Sequence, residues 1–409
     1  MAKTITLIRH AETNANATRT WQGSADSGIS DNGLDQIDRL AKRVARWTPD
    51  AVYASDLPRT MATSEALGGG IPTPGFREFA VGRWEGLTST EIAERYPDEW
   101  QAFLRWDDIA PGGGEQLSAF SERVNRALDS VADDLDDGGH AVVFTHGGAI
   151  WALLGAITGV GGGGPMIPSH NTGISTVTIH GDGKRSITTF NDATHLDSTP
   201  TQFGPSGRLV TLVRHGQSEG NVKGTWDAST DTPLTELGQA QAEAVAPFVP
   251  PVDHLFSSPL KRTSHTAEII GSKYGTPVKK DEGLVEMSFG AWEGLTTTQI
   301  LEQHAEDIAE YESGTGDHIR RGGHGESLVG AGLRMRETTE RLAQDCSDAP
   351  FVAVSHGAAI RALAVNVLGL QQAGRGRIAI PRNTAMSSFV MTDSHMVLAS
   401  FNVAPHLDD

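Results

Sequence analysis

The chain repeats itself. "TLIRHAETNANATRTWQG" from Thr6 returns 205 residues later as "TLVRHGQSEGNVKGTWD" from Thr211. Further blocks follow in the same order. "VYASDLPRTMATSEAL" pairs with "LFSSPLKRTSHTAEII", and "GFREFAVGRWEGLTSTEI" with "GLVEMSFGAWEGLTTTQI". "AVVFTHGGAIWALLGAITG" pairs with "FVAVSHGAAIRALAVNVLG", "PSHNTGIST" with "PRNTAMSS", and the closing "FNDATHL" with "FNVAPHL". Ordered blocks over about 200 residues mean that one fold is encoded twice. At 409 residues the chain is also too long for a single ordinary core. We expect one domain over 1–196, a linker over 197–208 ("DSTPTQFGPSGR") and a second domain over 209–409.

Within each copy, short apolar runs alternate with amphipathic stretches. In the first copy, strands are expected over 4–8, 51–54 and 141–145, and helices over "LDQIDRLAKRVARW" and "LSAFSERVNRALDSVADDL". Such alternation predicts an α/β fold: two tandem three-layer α/β/α domains, each with a mostly parallel central sheet. Ligands of such sheets bind at the carboxyl ends of the strands. Arg9–His10 and His146 each follow an apolar strand, as do Arg214–His215 and His356, so both sets are expected to converge on a rim.

Charge and cysteine content narrow the function. Net charge is −18, shared as −10 over residues 1–205 and −8 over the rest. This disfavours nucleic acid and anionic membrane as partners, but allows a small anionic substrate in a locally basic pocket. The single cysteine, Cys346, excludes an internal disulfide and fits a reducing compartment. "MAKTITLIRH" reads as an opening strand rather than a signal peptide, so a cytoplasmic location is expected. The most apolar run, from Ala141, holds His146 and two glycines at its middle and reads as strand, turn and helix rather than a bilayer span. "GVGGGG" from Gly159 runs into Pro165 and Pro168 and is rejected as a dinucleotide motif. No Walker lysine motif, H-E-x-x-H or cysteine pair occurs, so neither cofactor nor metal is expected.

The rim chemistry is specific. Each copy offers two histidines, an arginine beside the first, and an arginine at a helix start: Arg59 after "SDLP" and Arg262 after "SPLK". For the second helix, Ser258 is the expected cap and Pro259 the expected first residue. Each copy also has E-x-x-x-G-x-W-E-G, with Glu78 or Glu286 first and Glu85 or Glu293 as a rival carboxylate. Two arginines and a helix N-terminus suit a tetrahedral dianion. A neutral imidazole can attack phosphorus, and a protonated carboxyl can serve the leaving oxygen.

This constellation, "RHAETNAN" and "RHGQSEGN" with the internal arginine, "WEG" and "THG" or "SHG", resembles the phosphatase branch of the histidine phosphatase superfamily, with its phosphoglycerate-mutase-like fold. The resemblance implies a metal-independent phosphomonoesterase working through phosphohistidine, with two active sites and a small phosphorylated metabolite as partner. By motif it makes His10 the nucleophile, Arg9, Arg59 and His146 the phosphate pocket, and Glu78 the acid. In the second copy these are His215, then Arg214, Arg262 and His356, with Glu286. Polar contacts fall on Asn16 and Asn221, with Gln22 and Gly23 lining the first pocket.

The first copy departs at Ala11, where the family usually has glycine; the added methyl is expected either to cost little or to tilt His10, and the second copy is expected to be the more active on simple esters. A mutase is the nearest enzymatic alternative, and a phospho-ligand-binding protein with one inactive copy the alternative of another class. The glutamate-to-histidine spacings of 68 and 70 residues are short for a mutase. Trp84 and Trp292 are expected to pack loops, and His170, His180, His195 and His406 to be structural or solvated. Sugar phosphates, phosphoglycerate derivatives and nucleotide-loop phosphates all remain compatible, with specificity expected in segments 93–116 and 301–326.

Overall fold

The computed structural model describes residues 1–160, 164–196, 207–313, 319–347, 349–392 and 395–407. Glycines 161–163 of the glycine run and residues 197–206 of the expected linker lie outside them. Two compact units result: Met1–Gly164 with Pro168–Phe203, and Pro165–Ile167 with Gly204–Asp409.

The first unit is built on six strands: β1 (Lys3–Arg9), β2 (Ala51–Ala54), β3 (Ile71–Pro72), β4 (His140–Thr145), β5 (Ile174–Ile179) and β6 (Arg185–Asp192). Their order is β3-β2-β4-β1-β5-β6. The β3–β2, β2–β4 and β4–β1 pairs are parallel, and β5 is antiparallel to both β1 and β6. Only β5 therefore runs against the rest. Ile8, Val142 and Phe144 pack with Leu40 and Val44 of helix Asp31–Val44 on one face. Leu7 and Val143 alternate to the other face and are fully buried too, so helices cover both sides. Helix Gly147–Thr158 packs there against β1 and against helix Leu117–Asp134.

The second unit repeats the plan with β7 (Arg208–Arg214), β8 (Leu255–Ser257), β9 (Val278–Lys280), β10 (Phe351–Ser355), β11 (Met386–Met391) and β12 (Met396–Val403). The order is β9-β8-β10-β7-β11-β12, with the same sense at every pair. Val213, Val352 and Val354 pack with Val245, Ala267 and Ile270 on one face. Helix Gly357–Val367 lies against β7 and helix Leu328–Asp345.

The apolar run from Ala141 is β4, a turn and a helix, as its central histidine and glycines suggested. Among the described residues no helix is long and apolar enough to cross a membrane. Register then places the rim. Arg9 pairs with Thr145 and Ala54 with Phe144, so the next residues, His10, His146 and Ser55, leave three adjacent parallel strands side by side. Ser355 opposite Arg214 and Val354 opposite Ser257 do the same for His215, His356 and Ser258.

Candidate active site

At the end of β1, His10 is 4% exposed and lies 5.2 Å, ring centroid to centroid, from His146. Its Nδ1 is 2.7 Å from the Ala11 carbonyl oxygen. A carbonyl only accepts, so Nδ1 carries the proton and the neutral ring keeps its lone pair on Nε2. His215 repeats this with Gly216 at 2.7 Å, and its ring is 5.2 Å from that of His356. Ala11 therefore does not tilt His10. In both units burial first, and the adjacent arginines next, hold this histidine well below the ordinary imidazole pKa. Both rings are neutral at physiological pH.

The second histidines follow β4 and β10 and cap helices Gly147–Thr158 and Gly357–Val367. Nε2 of His146 is 2.8 Å from Ser55 Oγ, and that of His356 is 3.0 Å from Ser258 Oγ. Ser258 is thus no helix cap. The helix begins at Lys261 with Leu260 before it, and Pro259 lies outside. The serine is diverted because three parallel strand ends bring it under the imidazole. In the first unit Pro58 does occupy the opening turn.

Arg59 and Arg262 are each 2% exposed, on the first turns of helices Pro58–Ser64 and Lys261–Tyr274. Backbone carbonyls, not carboxylates, hold them. Arg59 donates to Gly23 (2.8 Å) and Ala25 (3.2 Å), and Arg262 to Thr230 (2.8 Å), Asp227 (3.1 Å) and Ala228 (3.4 Å). Among the described residues neither forms an ion pair, so the guanidinium charge stays available to an anion. Arg9 donates to the Ser169 carbonyl and Arg214 to that of Pro381. Burial pulls Arg9 down to about 10, still protonated at neutral pH.

The two glutamates of each W-E-G element separate. Glu78 Oε2 accepts from Gly148 N–H (2.9 Å) at the start of the Gly147 helix, and Oε1 accepts from Phe79 N–H. Burial raises its pKa above the ordinary carboxyl value, against the pull of the Gly148 bond and the arginines. Glu286 accepts from Met287 (2.8 Å), Ala358 (3.1 Å) and Ala359 (2.8 Å). One methyl group explains the difference. A Cβ on Gly148 would come within 2.2 Å of Glu78 Oε1, whereas the second copy has Ala358 there and its glutamate sits against one more amide. Glu85 turns elsewhere, accepting from Gly23 (3.0 Å) and Ala25 (2.8 Å), and Glu293 from Ala228, Ser229 and Thr230. Both carboxylates organise the loop whose carbonyls hold Arg59 or Arg262.

Asn16 and Asn221 line the two clefts, and their Oδ1 atoms accept from Asn171 and Asn383 (3.1 Å each) and from the amides of Thr13 and Ser218. Gln22 lines the first cleft, and Gly23 acts there through its carbonyl on Arg59. Sequence reasoning missed four residues. Asn171 and Asn383 also donate to the carbonyls of His10 and His215 (2.9 Å each). Thr63 and Thr266 receive the amides of Ala11 and Gly216 while donating to the carbonyls of Arg59 and Arg262. Their identity in both copies was the available signal. Trp84 and Trp292 are fully buried packing residues. His195 and His406 bond Thr172 and Thr384, and His180 bonds Ser186, as structural groups do.

The clefts differ in size. The first, of about 460 Å³, is lined by Arg9, Asn16, Gln22, Glu78 and several aromatic rings. The second, of about 180 Å³, is lined by Arg214, His215, Asn221, Arg262, Glu286 and Arg321.

Comparison with known proteins finds the same family model, that of the histidine phosphatase superfamily (branch 1), matching residues 5–193 and again 210–404. A metal-independent phosphoserine phosphatase of Arabidopsis thaliana is 33% identical over 47% of this chain and 83% of its own length. A probable phosphoglycerate mutase of Serratia proteamaculans is 34% identical over 44% of this chain and 82% of its own. A glucosyl-3-phosphoglycerate phosphatase of Mycolicibacterium vanbaalenii is 31% identical over 38% and 74%.

Proposed function

The chain belongs to the histidine phosphatase superfamily, branch 1, through both of its halves, and on that premise we propose that it carries two active sites, each hydrolysing phosphomonoesters of small metabolites through a phosphohistidine. One observation carries the reading. In each unit a buried neutral imidazole, its proton pinned on Nδ1, sits beside a buried arginine that, among the described residues, forms no ion pair with a carboxylate.

Arg9, Arg59 and His146 would hold the phosphoryl oxygens, and Asn16 would donate through Nδ2. His10 Nε2 attacks phosphorus as the ester P–O bond breaks, and protonated Glu78 gives its proton to the leaving oxygen. Water then attacks phosphorus, forming a new P–O bond as the P–Nε2 bond breaks. Ionised Glu78 takes the water's proton, and phosphate leaves with His10 neutral again. His215, Arg214, Arg262, His356, Asn221 and Glu286 act likewise. The field of buried guanidiniums meets the charge of the transferred group in place of a metal ion.

His10→Ala and His215→Ala proteins should each retain partial turnover and trap one labelled phosphohistidine after an alkaline denaturing quench, and the double variant should have neither. Abolition of all turnover by His215→Ala alone, for every ester tried, would reduce the first half to a ligand-binding site. We also propose that each half is an independent domain, joined by 197–208. Separate expression of 1–200 and 206–409 as cooperatively folding proteins tests this.

A further inference from the structure

Beyond the phosphate pocket the two units use matching positions for opposite chemistry. In the first, a second cavity of about 490 Å³ adjoins the cleft and shares Phe79, Phe103, Trp106, Gly148 and Trp151 with it. Leu117, Phe120 and Val160 extend its apolar wall. Gly148 is the residue whose amide binds Glu78, so this cavity opens beside the carboxyl that serves the leaving oxygen. One feature suits it to a ligand. Trp106, whose ring centroid is 3.8 Å from that of Trp151, is held at φ +60°, a conformation bulky residues rarely adopt and one that gathers at ligand sites.

The second unit fills the equivalent place with cations. In the aligned helices Trp151 is matched by Arg361, and Phe103 by Tyr311. Phe103 and Tyr311 contact Trp84 and Trp292 at 5.7 and 5.6 Å. Arg321, 3% exposed, stands in the wall of the small second cleft with its guanidinium 5.0–5.3 Å from the rings of Phe289, Trp226 and Tyr311. Its Nε donates to Tyr311 Oη at 2.9 Å, and among the described residues its Nη groups make no hydrogen bond or ion pair. Arg361 is buried nearby and Arg375 lies over the Tyr311 ring. Burial alone would raise the Tyr311 phenol, yet these three arginines bring it below its ordinary value. Glu286 and Asp227 also line this cleft, but among the described residues neither hydrogen-bonds nor ion-pairs Arg321, whose guanidinium is placed to meet an anion.

We propose that the two clefts take different leaving groups: the first, phosphomonoesters of bulky apolar alcohols whose apolar part enters the Trp106–Trp151 cavity; the second, small phosphomonoesters bearing a further carboxylate or phosphate held by Arg321. This rests on the two-site reading above only for where the phosphoryl group sits. The sizes agree, since a cleft of about 180 Å³ admits only a small ester, whereas the first cleft continues into open apolar space.

Binding tests the division without turnover. Full-length His10→Ala/His215→Ala protein is titrated calorimetrically with 1-naphthyl phosphate and with 2-phosphoglycolate. Each ester should fill one tight site per chain, and saturation with one should leave the affinity for the other unchanged. Trp151→Ala should weaken only the naphthyl ester, and Arg321→Met only phosphoglycolate, each by about tenfold or more. Competition between the two esters, equal binding of either at both sites, or variants that weaken both alike would overturn the proposal. If the histidine variant fails to fold, His10→Asn/His215→Asn protein, equally unable to form the phosphohistidine, gives the same readout. No hydrolysis enters the titration, so a negative result leaves the phosphatase reading standing, and a hydrolytic failure leaves this result intact.

Discussion

Replacing Glu293 by alanine separates a carboxylate that positions from one that reacts. Glu293 Oε1 accepts from the amides of Ala228 (2.9 Å), Ser229 (2.7 Å) and Thr230 (3.2 Å), and from two hydroxyls. The carbonyls of Ala228 and Thr230 meanwhile accept from Arg262. The loop is therefore strung between an anion and a cation. In Glu293→Ala, water can replace the bonds to exposed Ser229 and Thr230, but the buried Ala228 amide loses its partner, at about 1–3 kcal/mol. If roughly half of that loosens Arg262, vanadate and phosphate inhibition should weaken by about two- to tenfold at 1.4 kcal/mol per decade. The assay is kcat/KM in a His10→Ala background for p-nitrophenyl phosphate, which needs little protonation, and for phosphoglycolate, whose alkoxide leaves poorly. Both should fall by a similar factor. Glu286→Gln should instead slow phosphoglycolate far more than the nitrophenyl ester. If Glu293→Ala shows that leaving-group dependence and Glu286→Gln does not, the assignment of the acid is refuted.

Gly216→Ala should destabilise the second unit, because the new Cβ would lie 2.2 Å from the Gly238 carbonyl oxygen, against ordinary contacts near ~3.5 Å. Overpacking of about 1–3 kcal/mol should lower its melting temperature by roughly 2–4 °C per kcal/mol, and an unchanged melting curve would show that the turn gives way freely. In His215→Ala protein, turnover should rise as pH falls through the raised pKa of Glu78, since His10 stays neutral well below pH 6.5; an optimum on the alkaline side of neutrality would contradict this. Stability has the opposite sign. His10, His146, His215 and His356 resist protonation when folded, so the unfolded chain binds protons first, and stability falls below about pH 6.5 by up to ~1.4 kcal/mol per pH unit for each, as denaturant titrations across pH can read. Turnover should survive EDTA and be inhibited by vanadate; loss on chelation, restored by Mg²⁺ or Zn²⁺, would contradict catalysis by arginine alone.

Much of this protein is written locally. Apolar runs ending on Arg–His and Thr/Ser–His place His10, His146, His215 and His356 at strand ends, because strand and helix periods are short-range properties of the chain. Their recurrence in order, with the arginine and the W-E-G element between, made two copies of one site legible before any coordinates. What only the tertiary structure decided is partner choice across long separations. Glu78 and Glu85 stand seven residues apart on one element, and the turn Gly82–Trp84 sends the first to the amides of a helix 70 residues on and the second to a loop 60 residues back. Ser258 looked like a cap and lies under His356, because adjacent parallel strands deliver both to one rim. Whether Ala358 stands in place of Gly148, or Arg361 of Trp151, is plain in the sequence, but its consequence is not. A methyl group re-seats a carboxylate, and a cation replaces an aromatic wall, only where packing brings them to the cleft.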